Sequence, residues 1–305
     1  MRSVNRSTQF SNDGRKGSSR IVCYHQTHYH EGRFVSLLPL LETEATHVII
    51  AAIHLNSRES ITLNDDPYDA PKNEPLWHEV RMLQSAGVKV LGMLGGAHQG
   101  SFTRLDGDVK SFEGQYKLLH HMITWTGLDG LDLDVEEAMS LGGIVRLVDR
   151  LKRDFGRDFL ITLAPVATAM RGQENLSGFD YEVLEKAFAA NIAWYNTQFY
   201  CGWGDMGETS DYERIIARGW PVSKIVVGLV TNPQNGAGWV PDKPLRETLT
   251  ALKGKYADVG GVMGWEYFNS MTQQDGHGKP WCWAQWMGKI LRFSNPKEET
   301  IRVQE

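Results

Sequence analysis

The sequence predicts an α/β chain folded as a single-domain (β/α)8 TIM barrel, and three observations carry that prediction. Eight short runs rich in β-branched and aromatic residues recur along the chain, separated by stretches of helical periodicity. Strands that alternate with helices pair in parallel through right-handed crossovers, and eight such units close on themselves. The first run leads into HQTHYHEG, not into the glycine-rich phosphate turn that marks the competing doubly wound open sheet.

In order, the strand-like runs are RIVCYHQ (20–26), THVIIAAIHL (46–55), KVLGMLGG (89–96), GLDLDVE (130–136), FLITLAP (159–165), AWYNTQFY (193–200), KIVVGLV (224–230) and GVMGWEYF (261–268). Turn residues bound each of them. Between them, LWHEVRMLQSAG (76–87) places Leu76, Val80 and Leu83 on one helical face and stops at a glycine. LGGIVRLVDRLKRDFG (141–156) repeats Ile144, Leu147, Val148 and Leu151 and also stops at a glycine. YEVLEKAFAANI and LRETLTALKGKY fit the same pattern. No linker or repeat interrupts the series, so one catalytic-sized domain is expected over 20–295, with residues 1–19 a disordered tail and 296–305 a short C-terminal tail.

Composition excludes several classes of function. The 305 residues are 41 % hydrophobic and 23 % charged with a net charge of −5, and no basic stretch suggests a nucleic-acid partner. No apolar run reaches the ~18 residues a membrane span needs. The N-terminal stretch is polar and basic without an apolar core, so a cytoplasmic location is expected, or secretion if a signal has been trimmed. Cys23, Cys201 and Cys282, lacking CxxC spacing, argue against a disulfide framework or a zinc site.

LDGLDLDVEEAMS (128–140) holds Asp129, Asp132, Asp134 and Glu136 within eight positions. Alternation along a strand places Asp132, Asp134 and Glu136 on one face and Leu131, Leu133 and Val135 on the other. In a barrel the apolar set packs under helices, and the acids point inward at the C-terminal end of the fourth strand, where barrel enzymes keep their active sites. A solvated edge strand would need the acid face in water, which a central barrel strand does not offer. Like charges at short range raise at least one pKa, leaving a protonated acid for general-acid catalysis. The same residues could hold Mg²⁺ or Mn²⁺. Residue types alone leave both open.

DGLDLDVE resembles the DGxDxDxE signature of family 18 glycoside hydrolases, which are (β/α)8 barrels. The resemblance implies that Glu136 protonates the glycosidic oxygen, while the 2-acetamido group of the substrate, not a second carboxylate, attacks the anomeric carbon. It further implies that Asp134 orients that acetamido group, that Asp132 shares a proton with Asp134, and that Asp129 is structural. Neither metal nor cofactor is needed in such a scheme. On strand six, Asn196, Gln198 and Tyr200 share a face, and QFY resembles the family motif whose tyrosine holds the acetamido carbonyl; that role falls to Tyr200. Trp265 on strand eight is similar to the tryptophan that floors the −1 sugar. MLGG (93–96) keeps Gly95 and Gly96 of the family's SxGG but has Met93 at the serine position.

Trp203, Trp239, Trp281 and Trp283, in or near predicted loops, suit a carbohydrate cleft. His25, His28, His30, His54 and His98 lack a partner cluster and are expected to be satisfied or solvent-facing, not metal ligands. Over most of its length the chain resembles fungal single-domain endo-β-N-acetylglucosaminidases of this family. That implies action on an N-linked glycan or glycoprotein, with a mechanism that permits transglycosylation; a monomer is expected. A chitinase shares the chemistry; a non-catalytic lectin usually lacks the terminal glutamate. Loops 56–74, 201–212 and 231–243 are expected to grip the substrate.

Overall fold

The computed structural model describes residues 19–57, 60–270 and 279–292, so both predicted tails, apart from Ser19, lie outside the described residues. Eight parallel strands close a barrel: β1 Arg20–His25, β2 His47–Asn56, β3 Lys89–Gly95, β4 Gly130–Asp134, β5 Leu160–Leu163, β6 Trp194–Gln198, β7 Ile225–Val230 and β8 Gly261–Trp265. Closure comes from β1, which pairs with β8 through Arg20↔Gly261 to Cys23↔Gly264 and with β2 through Val22↔His47 to His25↔Ile50. All eight runs read from the sequence are strands; their ends are trimmed by a few residues, except that β2 runs one residue further, to Asn56. Among the described residues, no helix is long and apolar enough to cross a membrane.

The strands are buried on both faces and separate two apolar layers. Val22, Tyr24, Ile49, Leu91, Met93, Trp194, Val226 and Met263 fill the barrel interior. Ile21, Val48, Val90, Leu131, Leu133, Ile161 and Val227 pack outward beneath the helices. Helix Leu141–Phe155 shows why its sequence is helical: Ile144, Leu147, Val148 and Leu151 form one fully buried stripe. Ser140 caps its start by accepting from the Gly143 amide at 3.0 Å, and Gly156 at φ +85° ends it. Helices Glu74–Ser85, Tyr181–Phe188 and Asp242–Lys255 occupy the other stretches read as helical.

One departure and one expected feature shape the C-terminal end of the barrel. The segment read as a loop after β2 contains a strand, Ser60–Leu63, that pairs antiparallel with the overlong end of β2 from Ile53↔Leu63 to Asn56↔Ser60. Between β7 and β8 there is one α-helix, Asp242–Lys255, and a 3-10 turn, Pro233–Asn235; no inserted domain deepens the cleft there.

Candidate active site

β4 builds the site. Leu131 and Leu133 are fully buried outward, which turns Asp132 and Asp134 into the barrel. The strand ends at Asp134, and Glu136 follows two residues later, half-buried, on the wall of a cavity of about 440 Å³. Asp134, Gln198, Tyr200, Trp203 and Trp265 line the same cavity, with Gly95 and Gly96 at its edge.

Asp132 lies below, wholly enclosed. Tyr24 Oη donates to it at 2.7 Å, Thr162 Oγ1 at 2.5 Å and Asn196 Nδ2 at 3.0 Å. Burial raises its pKa, and these three donors oppose the rise by stabilising the ionised form. Asp134 receives the Gln198 amide at 3.2 Å. Burial, reinforced by the charges of Glu136 and Asp132, holds Asp134 well above the usual carboxylate range. Burial also raises Glu136. The column therefore keeps protons that exposed carboxylates would lose, which equips it to donate one.

β3 fits closely against this column. Gly96 N donates to Asp134 O at 2.9 Å. Gly95 stands at φ +95°, and a Cβ there would lie 2.4 Å from the Phe102 ring and 2.5 Å from Asp134 O. Only glycine accommodates both the turn and the approach. Met93 takes the serine position and lines the cavity with its side chain.

Several contributors gave no signal in the sequence. Tyr24 and Thr162 clamp Asp132 from β1 and β5. Glu137, next to Glu136, is buried and accepts from Gly100 N and Phe102 N, each at 2.8 Å, and from Thr103 Oγ1 at 2.5 Å. Glu266 follows the Trp265 floor; it accepts from Gln26 N at 3.0 Å and from Thr27 N and Oγ1 at 2.9 Å, joining the end of β8 to the loop after β1. Asp129 is tied to Lys89 Nζ, Val90 N and the Gln84 amide at 2.9 Å each, at the foot of β4 and away from the cavity.

Some expected site residues stand elsewhere. Asn196 shares the inward face with Gln198 and Tyr200 but lies deeper, bonded to Asp132 and Trp194, and does not line the cavity. Two residues back along a strand is about 6–7 Å lower in the barrel, so its contact with a substrate gives way to a contact with Asp132. Trp239 is half-buried against the interior cluster containing Tyr200 and lies outside the cavity lining. Trp283 is a core residue of helix Cys282–Arg292, packed on Gly264. His25 is neither satisfied nor exposed: it points to the helical layer, wholly buried, and neither ring nitrogen finds a partner. Burial holds it well below the usual histidine range, so it is neutral there. Among the described residues no cluster of three or more His, Cys, Asp or Glu is arranged to hold a metal ion.

Comparison with known proteins places this geometry. The family model for glycosyl hydrolases family 18 matches residues 20–304. A fungal endo-β-N-acetylglucosaminidase from glycosyl hydrolase family 18 superposes with a TM-score of 0.86 at 48 % identity, over 90 % of this chain and 98 % of its own. Chitinase ChiC from Aspergillus fumigatus superposes with a TM-score of 0.82 at 52 % identity, over 87 % and 97 %. Chitinase 2 of Rhizopus oligosporus is 28 % identical over 208 residues, 62 % of this chain but only 35 % of that protein. Chitinase D of Niallia circulans is 31 % identical over 188 residues, again spanning 35 % of its length.

Proposed function

The chain belongs to glycosyl hydrolases family 18, and from that premise we propose that it is an endo-β-N-acetylglucosaminidase cleaving the β-1,4 bond of the N,N′-diacetylchitobiose core of N-glycans. The observation that carries the chemistry is the inward column of Asp132, Asp134 and Glu136, with Glu136 at the cavity wall and the two aspartates stacked beneath it.

In the proposed reaction Glu136 gives its proton to the glycosidic oxygen as the bond to the anomeric carbon breaks. The acetamido carbonyl oxygen of the −1 sugar bonds to that carbon, forming an oxazolinium ion. Asp134 accepts a hydrogen bond from the acetamido N–H, and Tyr200 donates to its carbonyl. Asp132, held by Tyr24, Thr162 and Asn196, shares a proton with Asp134 as charge develops. Trp265 supplies the apolar floor. Water then attacks the anomeric carbon as its bond to the acetamido oxygen breaks and the acetamide reforms, and the Glu136 carboxylate takes a proton from that water, giving net retention. An acceptor sugar in place of water gives transfer, so added GlcNAc should yield a new glycoside by mass; its absence refutes this branch of the mechanism.

The 48 % identity to a fungal endo-β-N-acetylglucosaminidase across nearly both whole chains supports the N-glycan substrate, as does the short β7–β8 connection. The 52 % identity to a chitinase supports a second reading, cleavage of chitin oligosaccharides by the same residues. Incubation with an N-glycopeptide and, separately, with chitin oligosaccharides separates them. Peptide carrying one GlcNAc with chitin oligomers untouched upholds the first; cut chitin and intact glycopeptide replaces it with the second.

A further inference from the structure

Glu136 does not belong to the strand it follows. β4 ends at Asp134, and residues 135–140 belong to no helix or strand. A proton donor must stand within hydrogen-bond reach of the oxygen it protonates, so something other than the sheet sets its place. Outside a ladder, buried backbone groups also need other partners. Side chains from two neighbouring loops meet both needs.

On one side is Ser177, 2 % exposed, in the loop before helix Tyr181–Phe188. Its hydroxyl donates to Val135 O at 2.8 Å, and its carbonyl accepts from Met139 N at 2.9 Å. A hydroxyl has one proton to give. Because that proton goes to Val135 O, Tyr181 Oη is the donor in its 2.6 Å contact with Ser177 Oγ. Asn175 shapes the loop: its Oδ1 accepts from Ser177 N at 2.5 Å and Gly178 N at 3.2 Å, and its Nδ2 donates to Phe179 O at 2.5 Å. Leu176, between the two, reaches the wall of the catalytic cavity.

On the other side is Glu137, 7 % exposed. Its three partners, Gly100 N, Phe102 N and Thr103 Oγ1, all donate to it. They belong to the start of helix Ser101–Leu105, which is anchored in turn. Leu55 N of β2 donates to Ser101 Oγ at 3.1 Å, and Phe102 is wholly buried. Gln99 Nε2 adds a long contact of 3.4 Å to Glu136 O.

Glu136 is therefore bracketed. The residue before it is tied to the β5–β6 connection, and the residue after it to the β3–β4 connection. One anchor would leave a hinge at the end of the strand; two on opposite sides remove it. Neither Ser177 nor Glu137 lines the catalytic cavity. An aliphatic side chain would fill the place of Glu137 without the desolvation cost of a buried carboxyl group, so its hydrogen bonds and not its bulk distinguish it.

We propose that Glu137 and Ser177 are positioning residues that fix the depth and direction of the Glu136 carboxyl group from opposite sides. The assignment rests on Glu136 being the proton donor, and it holds for either substrate class.

Comparing two leaving groups tests it. A sugar hydroxyl leaves only with a proton, whereas para-nitrophenol leaves without one. A misplaced acid slows the first and spares the second; a general loosening of the site slows both. The substrates are one glycan that the wild type cuts, joined at the cleaved bond to GlcNAc or to para-nitrophenol. The variants are Ser177→Ala and Glu137→Gln, whose amide N–H would face a backbone N–H. We expect kcat/KM on the sugar-linked substrate to fall about ten- to a hundredfold with KM within about twofold, and on the nitrophenyl substrate by less than about threefold. Thr103→Val, at an exposed position, withdraws one donor from Glu137 and keeps the test open if Glu137→Gln does not fold. It should slow the sugar-linked substrate alone, by about threefold or more. Equal losses on both substrates, or loss on neither, overturn the assignment. Glu136→Ala is measured beside these variants. If it too loses equally on both leaving groups, the proton-donor reading falls and takes the assignment with it. If it spares the nitrophenyl substrate while the other variants do not, the proton-donor reading stands and the assignment alone falls.

Discussion

Tyr24→Phe removes one oxygen and leaves the barrel packing in place, so its consequences can be worked from the Asp132 environment. Asp132 is fully buried and accepts three hydrogen bonds, the one from Tyr24 at 2.7 Å. A hydrogen bond to a charged buried acceptor contributes about 1.5–3 kcal/mol, against about 0.5–1.5 kcal/mol for a neutral pair. Because Thr162 and Asn196 remain, the loss falls on one oxygen of the carboxylate. Losing a donor that stabilises the ionised form should raise the pKa of Asp132 further. Asp132 already titrates above its ordinary value because it is buried. A carboxyl raised in the folded state lowers stability where it is ionised and ceases to do so as pH falls through its folded pKa. Losing the Tyr24 donor deepens that penalty at neutral pH and matters less once Asp132 is protonated. The stability deficit of the variant is therefore expected to be about 1.5–3 kcal/mol near pH 8 and to shrink toward about 0.5–1.5 kcal/mol near pH 4. At 2–4 °C per kcal/mol, the neutral-pH deficit is roughly 3–12 °C in Tm. Thermal unfolding of both proteins across that range measures it directly. A deficit that is constant with pH, or that grows toward acid, would refute the claim that Tyr24 acts by holding ionised Asp132.

Glu136→Gln should leave less than roughly 1 % of kcat with an unchanged melting profile; more residual turnover contradicts its role as the acid. Asp134→Asn keeps a hydrogen-bonding group but cannot take up the charge, so kcat should drop about 10²-fold or more with KM little changed; unaltered kcat removes it from the proposed mechanism. Gly95→Ala places a methyl group against Phe102 and Asp134 O at positive φ, and it should destabilise by roughly 2 kcal/mol or more. A chemical denaturation midpoint equal to wild type would show that β3 yields there without difficulty.

The barrel was legible because its strands are buried on both faces and so read as continuous apolar runs between turn residues. β4 stood out for the opposite reason: its interleaved acids and aliphatics mark two faces with different destinations. Alternation gives a face and not a depth. It correctly grouped Asn196 with Gln198 and Tyr200 but could not say that Asn196 sits at the level of Asp132. Tyr24 and Thr162 carried no local sign of their task, since the contact with Asp132 spans 108 and 30 positions of chain. The Ser60–Leu63 strand reads as loop in the sequence because four residues give alternation little to act on, and its pairing partner is an extension of β2 beyond the barrel. Trp283 was grouped with cleft tryptophans on composition, whereas the absent side chain of Gly264 makes room for its ring in the core.

Glu137 gives the loops around the site an unequal freedom to diversify. Its carboxylate fastens the segment bearing Glu136 to residues 100–103 after β3, so those two loops are mechanically coupled. A graft of a foreign β3 loop that lacked the matching amides and hydroxyl would displace the acid along with it. Among the described residues of the loops after β1 and β2, no hydrogen bond reaches Glu136 or Glu137, so insertion or exchange there is expected to leave the position of Glu136 unchanged.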